Sequence, residues 1–253
     1  LPPGIGLGLR STFRKPTRLL VTLVALSLAM VILGGTMMFV TGFTEAFNES
    51  LDEQENWEYQ ISMPSSNIEN VTAWAGESTS SFELTLTSSA TISGTNKELI
   101  LKGADVVSDQ ETALHRLNML DGKLPKEGQV PPEIILDEGS SELEDYSVGD
   151  TITIDYQGTK YDLKITGIAR EMSRSIYFHR ADLVSIVGED ANGALLVLLP
   201  DADIEEIRTS TSSIVEKEIM VESFKQKINQ QTEVMQSVYA IGGLLAIAIL
   251  FNT

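Results

Sequence analysis

Residues 19–43 read LLVTLVALSLAMVILGGTMMFVTGF, 25 residues in a row without a charge. As a helix this run is roughly 37 Å long at 1.5 Å per residue. That is enough to cross a hydrocarbon core of about 30 Å with some tilt. A signal peptide has a shorter apolar core, ending in a cleavage site of small residues. Here the apolar run continues through GGTMMFVTGF with no such site. The stretch is therefore expected to stay as a transmembrane helix. Gly34 and Gly35 inside it permit close helix packing, though small residues are common in such helices.

The flanking charges orient the helix. Arg10, Arg14, Lys15 and Arg18 precede it, and no Asp or Glu occurs before Glu45. By the positive-inside bias the N-terminal side faces the cytoplasm. Beyond the run, Glu45, Glu49, Asp52, Glu53, Glu55 and Glu58 follow with no base among them, and the next Lys or Arg is Lys97. Residues after the run hold all 36 acids and 14 of the 18 bases, a net of −22. So acidic a segment argues against nucleic-acid binding, which needs cations to displace counterions. It is instead expected to repel anionic lipid headgroups or attract a basic partner, an effect that added salt weakens.

The C-terminal end repeats the apolar theme. Val238 to Phe251 is uncharged, but 14 residues reach only about 21 Å as a helix. The preceding FKQKINQQTEVMQS, residues 224–237, is a polar helical pattern without Gly or Pro. The expected organisation is a basic cytoplasmic lead-in (1–18), a transmembrane helix (19–43), and an extracytoplasmic α+β domain (44–223). A polar helix leading to the membrane (224–237) and the start of a second, truncated transmembrane helix (238–253) complete it. This places the chain in the cell membrane, multi-pass, with residues about 44–237 outside the cytoplasm.

The middle segment is long enough for a core of its own. NWEYQISM alternates Trp57, Tyr59, Ile61 and Met63, and SFELTLT alternates Phe82, Leu84 and Leu86, as strands do. ISGTNKELILKG supplies a turn and a strand, while the Ser/Thr-rich GESTSSF and TSSATISGT read as loops and exposed strand faces. GDTITIDYQGTKYDLKITGIA is a hairpin with Ile152, Ile154 and Tyr156 on one limb and Tyr161, Leu163 and Ile165 on the other. SIYF reads as a strand, HRADLVSIVG as a helix ending at Gly188, and GALLVLLP as a buried strand. DADIEEIRTSTSSIVEK reads as a helix and EIMVES as a last short strand. Irregular alternation of the two element types favours α+β over a doubly wound sheet.

Catalytic signatures are sparse. The chain has no cysteine, which excludes disulfides and thiolate chemistry, and only two histidines. His115 and His179 lack a His or Cys neighbour at metal-ligand spacing and read as surface or satisfied core residues. There is no phosphate-binding Gly-x-x-x-x-Gly-Lys loop and no Gly-x-Ser-x-Gly elbow. Gly4, Gly6 and Gly8 have no strand before them and read as a lead-in. The carboxylates of LDEGSSELEDYSVGD do not match an EF-hand and read as a solvated loop. Asn48 and Asn70 head glycosylation sequons by pattern, a pattern chance produces often. No catalytic, cofactor or metal residue is assigned, and no cofactor is expected.

Taken in order, several stretches resemble the permease subunits of ABC transporters of the MacB, FtsX and LolC/LolE type. Arg14-Lys15-Pro16-Thr17-Arg18 feeding into the first apolar helix is similar to the family's opening. LDGKLPKEGQVPPEIILDE carries Gly122, Pro125 and Glu133 of its Gly–Pro–Glu segment. YSVGDTITI carries Val148, Gly149 and Asp150, and YDLKITGIA carries Gly167. SIYFHRADLVSIVG resembles the next element, and AIAILFNT, ending in Asn252 and Thr253, resembles the second membrane helix. The resemblance covers nearly the whole chain. No one motif is specific, but their order and spacing are, and residues 57–118 match only loosely. The opening LPPGIGLGLR, without Met, is similar to the second half of the long ten-helix permeases.

The resemblance implies an α+β outer domain of the MacB periplasmic core type and a non-catalytic membrane subunit. A separate cytoplasmic ABC ATPase would drive it, beside membrane lipid, a second permease copy or half, and an extracytoplasmic substrate or accessory protein. The cargo would be a lipid, lipoprotein or peptide. A second reading stays open: a sensor or receptor ectodomain between two membrane helices. A third, a membrane-anchored hydrolase, lacks a visible nucleophile–base pair.

Overall fold

The computed structural model describes residues 16–105, 109–171 and 173–251. Expectations for the lead-in before Pro16, including Gly4, Gly6, Gly8, Arg10, Arg14 and Lys15, and for Asn252 and Thr253, lie outside these residues. The chain divides into two compact units, residues 1–49 with 221–253, and Ser50–Met220.

The first unit is built from two helices, α1 (Pro16–Gln54) and the last helix, Lys217–Phe251, each of which continues into the other unit. Among the described residues α1 alone is long and apolar enough to cross a membrane, over a window at Met30–Phe47. Leu20, Val31, Met38 and Phe39 stand exposed, a surface suited to hydrocarbon rather than water. The hydroxyls of Thr36 and Thr44 donate to the carbonyls of Ile32 and Val40, at 2.7 and 2.8 Å. No polar hydrogen on those two side chains is left for lipid to satisfy. Phe39, Phe43 and Phe47 stack along α1, and the Phe224 ring lies 3.8 Å from that of Phe47, centre to centre.

The second unit is a single ten-stranded mixed sheet. In chain order its elements are β1 (Tyr59–Ser62), α2 (Ile68–Ser78), β2 (Thr79–Ile92), β3 (Glu98–Ala104), β4 (Asn118–Gly122) and β5 (Glu133–Asp137). There follow α3 (Glu138–Glu144), β6 (Thr151–Tyr156), β7 (Thr159–Arg170), β8 (Ser175–His179), α4 (Arg180–Val187), β9 (Gly193–Leu198) and β10 (Ser213–Glu216). The last helix is α5. The strand order is β10-β1-β9-β2-β3-β8-β5-β7-β4, with β6 joining β7 to β2. Strands β2, β3, β8, β5, β7 and β6 therefore form a closed ring. Pairing is antiparallel except between β3 and β8 and between β5 and β7.

The ring explains the core. Leu86, Leu99, Leu101, Ile134, Leu136, Ile152, Ile154, Leu163, Ile165, Ile176 and Phe178 come from all six strands and are fully buried together. Closure also removes free sheet edges within the ring. A second cluster, Ile61, Met63, Val71, Ala194, Leu196 and Ile207, packs α2 and the 3-10 turn Ile204–Ser210 against β1 and β9.

The α+β class, the 151–170 hairpin, the strands at 175–179 and 193–198 and the helix ending at Gly188 form as the sequence implies. Gly149 takes φ +101 in the turn before β6, where Ser147 N–H donates to Asp150 Oδ2 at 2.8 Å. At Gly167 a Cβ would lie 2.5 Å from Met119 Cε and 2.8 Å from the Lys123 carbonyl, so β4 reaches β7 only over glycine.

Four stretches depart from expectation. Residues 201–217 form a 3-10 turn and then strand β10 instead of a helix. Their run of Ser and Thr is a poor helix former, and the edge of β1 offers backbone partners, beginning with Ser212 N–H to the Ser62 carbonyl at 2.7 Å. EIMVES is the opening of α5, not a strand. The Ser/Thr-rich stretches around residue 80 and after residue 87, expected as loops and exposed strand faces, are largely strand with little loop: they belong to β2, a 14-residue strand paired to β9, β3 and β6 in turn. The acidic loop expected at 136–150 contains helix α3, capped by the buried Asp137, which accepts from Ser140 N–H at 2.8 Å and Ser175 N–H at 3.0 Å.

Candidate functional site

The sheet has a second face, where polar side chains stand between two small apolar clusters, one of Leu117, Ile135, Ala169 and Tyr177 and one of Trp57, Leu114 and Leu195. In β2, Leu84 and Leu86 point to the apolar clusters, so strand alternation turns Glu83, Thr85 and Thr87 to the other side. Register places Thr87 beside Lys102 of β3, Lys102 beside Tyr177 of β8, and Glu83 beside Leu195 of β9. A cavity of about 180 Å³ opens over this face. Its lining includes Glu55, Trp57, Glu83, Lys102, His115 and Tyr177.

Two connecting segments bring the remaining charges. Residues 54–58, leaving α1, run beside residues 113–116. Asn56 N–H donates to the Leu114 carbonyl and Arg116 N–H to the Gln54 carbonyl, both at 2.7 Å, and Glu55 and His115 form an isolated β-bridge. This pairing carries the His115 ring over the sheet. Its Nδ1 lies 2.9 Å from Glu55 Oε1, its Nε2 lies 3.1 Å from the Tyr177 hydroxyl and 3.4 Å from Glu171 Oε1, and the ring stacks on Tyr177 at 5.5 Å. The Tyr177 hydroxyl donates to Glu171 Oε2 at 2.8 Å and accepts from Lys102 Nζ at 2.8 Å. Trp57 Nε1–H donates to Glu55 Oε2.

The electrostatics follow from burial and pairing. Burial by itself would lower the His115 pKa, but its bonds to Glu171 and Glu55 outweigh this and raise it to about 9. The ring is thus an imidazolium at neutral pH, donating from both nitrogens. Burial works against the Glu55 carboxylate too, yet the bond to His115 holds its pKa below the usual value. Burial lowers the Lys102 pKa against the pull of Glu171 and Glu55, and it pushes the Tyr177 phenol well above its usual range. Two cations, Lys102 and His115, thus face two carboxylates, Glu55 and Glu171.

Glu83 stands apart. It is 4% exposed, and its pKa is raised to about 7 by burial, against one bond from Leu114 N–H to Oε2 at 3.1 Å.

The same region gathers both chain ends of the unit. Lys217, first residue of α5, donates from Nζ to the Glu55 carbonyl at 2.6 Å and from its backbone to the Glu58 carbonyl at 2.8 Å. Strands β1 and β10 pair directly, Tyr59 opposite Glu216. The exit of α1 and the entry to α5 are therefore fastened together and to the imidazolium network.

His115 is a half-buried residue with both ring nitrogens satisfied, in keeping with its lack of metal-spaced neighbours. His179 caps α4, its Nε2 3.8 Å from Glu127, and its Nδ1 is buried without a partner. Asn70 lies exposed in the first turn of α2, and the side chain of Asn48 lies outside the described residues. The carboxylates at 137–144 serve the fold: Glu138 pairs with Arg170, and Glu144 with Lys97 and Arg174. Among the described residues no three His, Cys, Asp or Glu side chains are gathered as a metal site. Sequence reading did not find Glu83, Lys102, Glu171 and Tyr177 as a group. Alternation along β2 could have placed Glu83 away from the core, but its neighbours follow only from the strand order.

A family model described as the MacB-like periplasmic core domain matches residues 19–239. The periplasmic region of MacB from Actinobacillus actinomycetemcomitans is similar at 13% identity and TM-score 0.44, over 72% of this chain and 96% of that one. The extracellular domain of the noncanonic ABC-type transporter YknZ from Gram-positive bacteria is similar at 15% identity and TM-score 0.42, over 61% and 88%. No curated protein matches the sequence.

Proposed function

Since the chain belongs to the family of the MacB-like periplasmic core domain, we propose that it is the membrane subunit of an ABC transporter and couples ATP hydrolysis by a separate cytoplasmic ATPase to movement of its outer domain. The observation that carries this is the joint fastening of the two chain ends, Lys217 Nζ to the Glu55 carbonyl and β1 to β10. A displacement arriving through either helix is delivered to the same corner of the sheet. Helix α5 contains no proline, which favours a stiff lever. The apolar length of α1 supports a membrane anchor, and a multi-pass arrangement with residues about 44–237 outside belongs to the same proposal. On this reading the chain catalyses no reaction of its own, and its cargo is a lipid, lipoprotein or peptide.

The test is a pull-down of the full-length protein from native membranes, with and without a non-hydrolysable ATP analogue. Recovery of an ABC ATPase is the expected result. Recovery of a kinase or other signalling protein in its place would instead favour a receptor ectodomain. Hydrolytic activity of the purified chain, abolished by a single Ser or Asp substitution, would overturn the non-catalytic reading.

A further inference from the structure

We propose that the cavity over the second sheet face binds one organic monocation, a primary ammonium or guanidinium group, with the Glu83 carboxylate as its counter-ion. Lys102 and His115 are answered by Glu55 and Glu171, and nearby Asp105 is engaged by Arg180 at 2.6 Å. Glu83 is left over. The residue is 4% exposed, and among the described residues its carboxylate accepts only the neutral Leu114 N–H, on Oε2. A carboxylate this deep with one neutral donor and no bonded cation is costly to ionise, and such groups are normally paired.

The space is of the right kind. About 180 Å³ adjoins Glu83, roughly the share of six liquid waters. Trp57 and Tyr177 offer aromatic surface, and Thr85, Thr87 and Gln60 offer oxygens to further N–H donors. Among the described residues no cation is bonded to Glu83, and His115 acts on it only through space. Lys102 sits four β2 residues away in register, held by Tyr177 and Ser173. A metal ion suits the cavity poorly, since no three metal-ligating side chains converge among the described residues.

The experiment titrates butylammonium into the full chain in detergent micelles and follows Trp57 fluorescence. The chain's other tryptophan, Trp74, is replaced by Trp74→Phe. Butylammonium is expected to saturate the signal and 1-butanol to leave it unchanged. Affinity should fall about tenfold per pH unit below pH 7, as protonation of Glu83 competes with the ligand. The groups facing Glu83 are Glu55, Asp105, Lys102, His115 and Tyr177; Tyr177 and His115 titrate well above that range. Glu83→Gln should weaken binding at least about tenfold. Equal responses to butylammonium and butanol, no saturation, or unchanged affinity in Glu83→Gln would each overturn the proposal. Should Glu83→Gln fail to fold, the butanol comparison and the pH profile of the unmutated site decide alone. A parallel titration with a blocked lysine amide separates a free amine from a polypeptide side chain as the natural source.

Discussion

At the scale of single residues, His115 and Glu83 are opposite cases of burial. His115 is charged because its partners overcome desolvation, so its pKa in the fold lies above the unfolded value of 6.5. Its contribution to stability is complete below pH 6.5 and is lost as pH rises from 6.5 to about 9. Melting temperature should fall across that window, and the fall should be absent in His115→Gln. That variant also leaves the partly buried Glu55 and Glu171 with Lys102 as their remaining cation, which should cost up to about 3 kcal/mol at neutral pH; chemical denaturation measures it. Glu83 has its pKa raised from 4.5 to about 7, so the fold takes up a proton there and stability falls as pH rises through that interval. Glu83→Gln should therefore raise stability at pH 8 by up to about 3 kcal/mol and leave it nearly unchanged at pH 4. A site that gains stability on losing its charge retains that charge at a cost, as binding sites do.

At the scale of elements, packing against glycine and capping by Asp137 hold β4 and α3 against strands of the ring. Gly167 lets β4 lie on β7, because a methyl group there would overlap Met119 and the Lys123 carbonyl. Gly167→Ala should displace β4 while sparing the 151–170 hairpin pairing to β5, and is seen as new proteolytic cleavage near residues 118–123. Asp137 joins helix α3 to β8 through two buried acceptors. Asp137→Ala should cost about 2–4 kcal/mol, as two buried N–H groups lose their partner. The hairpin and the helix ending at Gly188 were legible because each is a local pattern: alternation about a Gly turn, and an apolar stripe stopped by a left-handed glycine. β10 was not legible. Its residues carry a mixed pattern, and only the open edge of β1 makes them a strand.

At the scale of the whole molecule, the coupling proposal rests on the joined chain ends of the outer unit. Ser62 and Ser213 are paired Cα to Cα across β1 and β10, close enough for a disulfide. The chain has no cysteine of its own, so Ser62→Cys with Ser213→Cys gives a clean crosslink. If the two ends move as one, the oxidised variant in the reconstituted transporter keeps its ATP turnover. Turnover lost on oxidation and restored by reductant would mean that the strands part during the cycle.

By itself the sequence determined what depends on neighbours along the chain. The apolar run of residues 19–43, the acidic charge beyond it, the α+β class and the local hairpin all follow from period, propensity and charge. The tertiary structure decided which residues meet. Closure of the strand ring by β6 draws its core from segments up to about 90 residues apart in the chain. The network of Glu55, Lys102, His115, Glu171 and Tyr177 joins five stretches that no local pattern links. Such groups carry no periodic signal, because their energy comes from desolvation and pairing across the fold rather than from conformation along the chain.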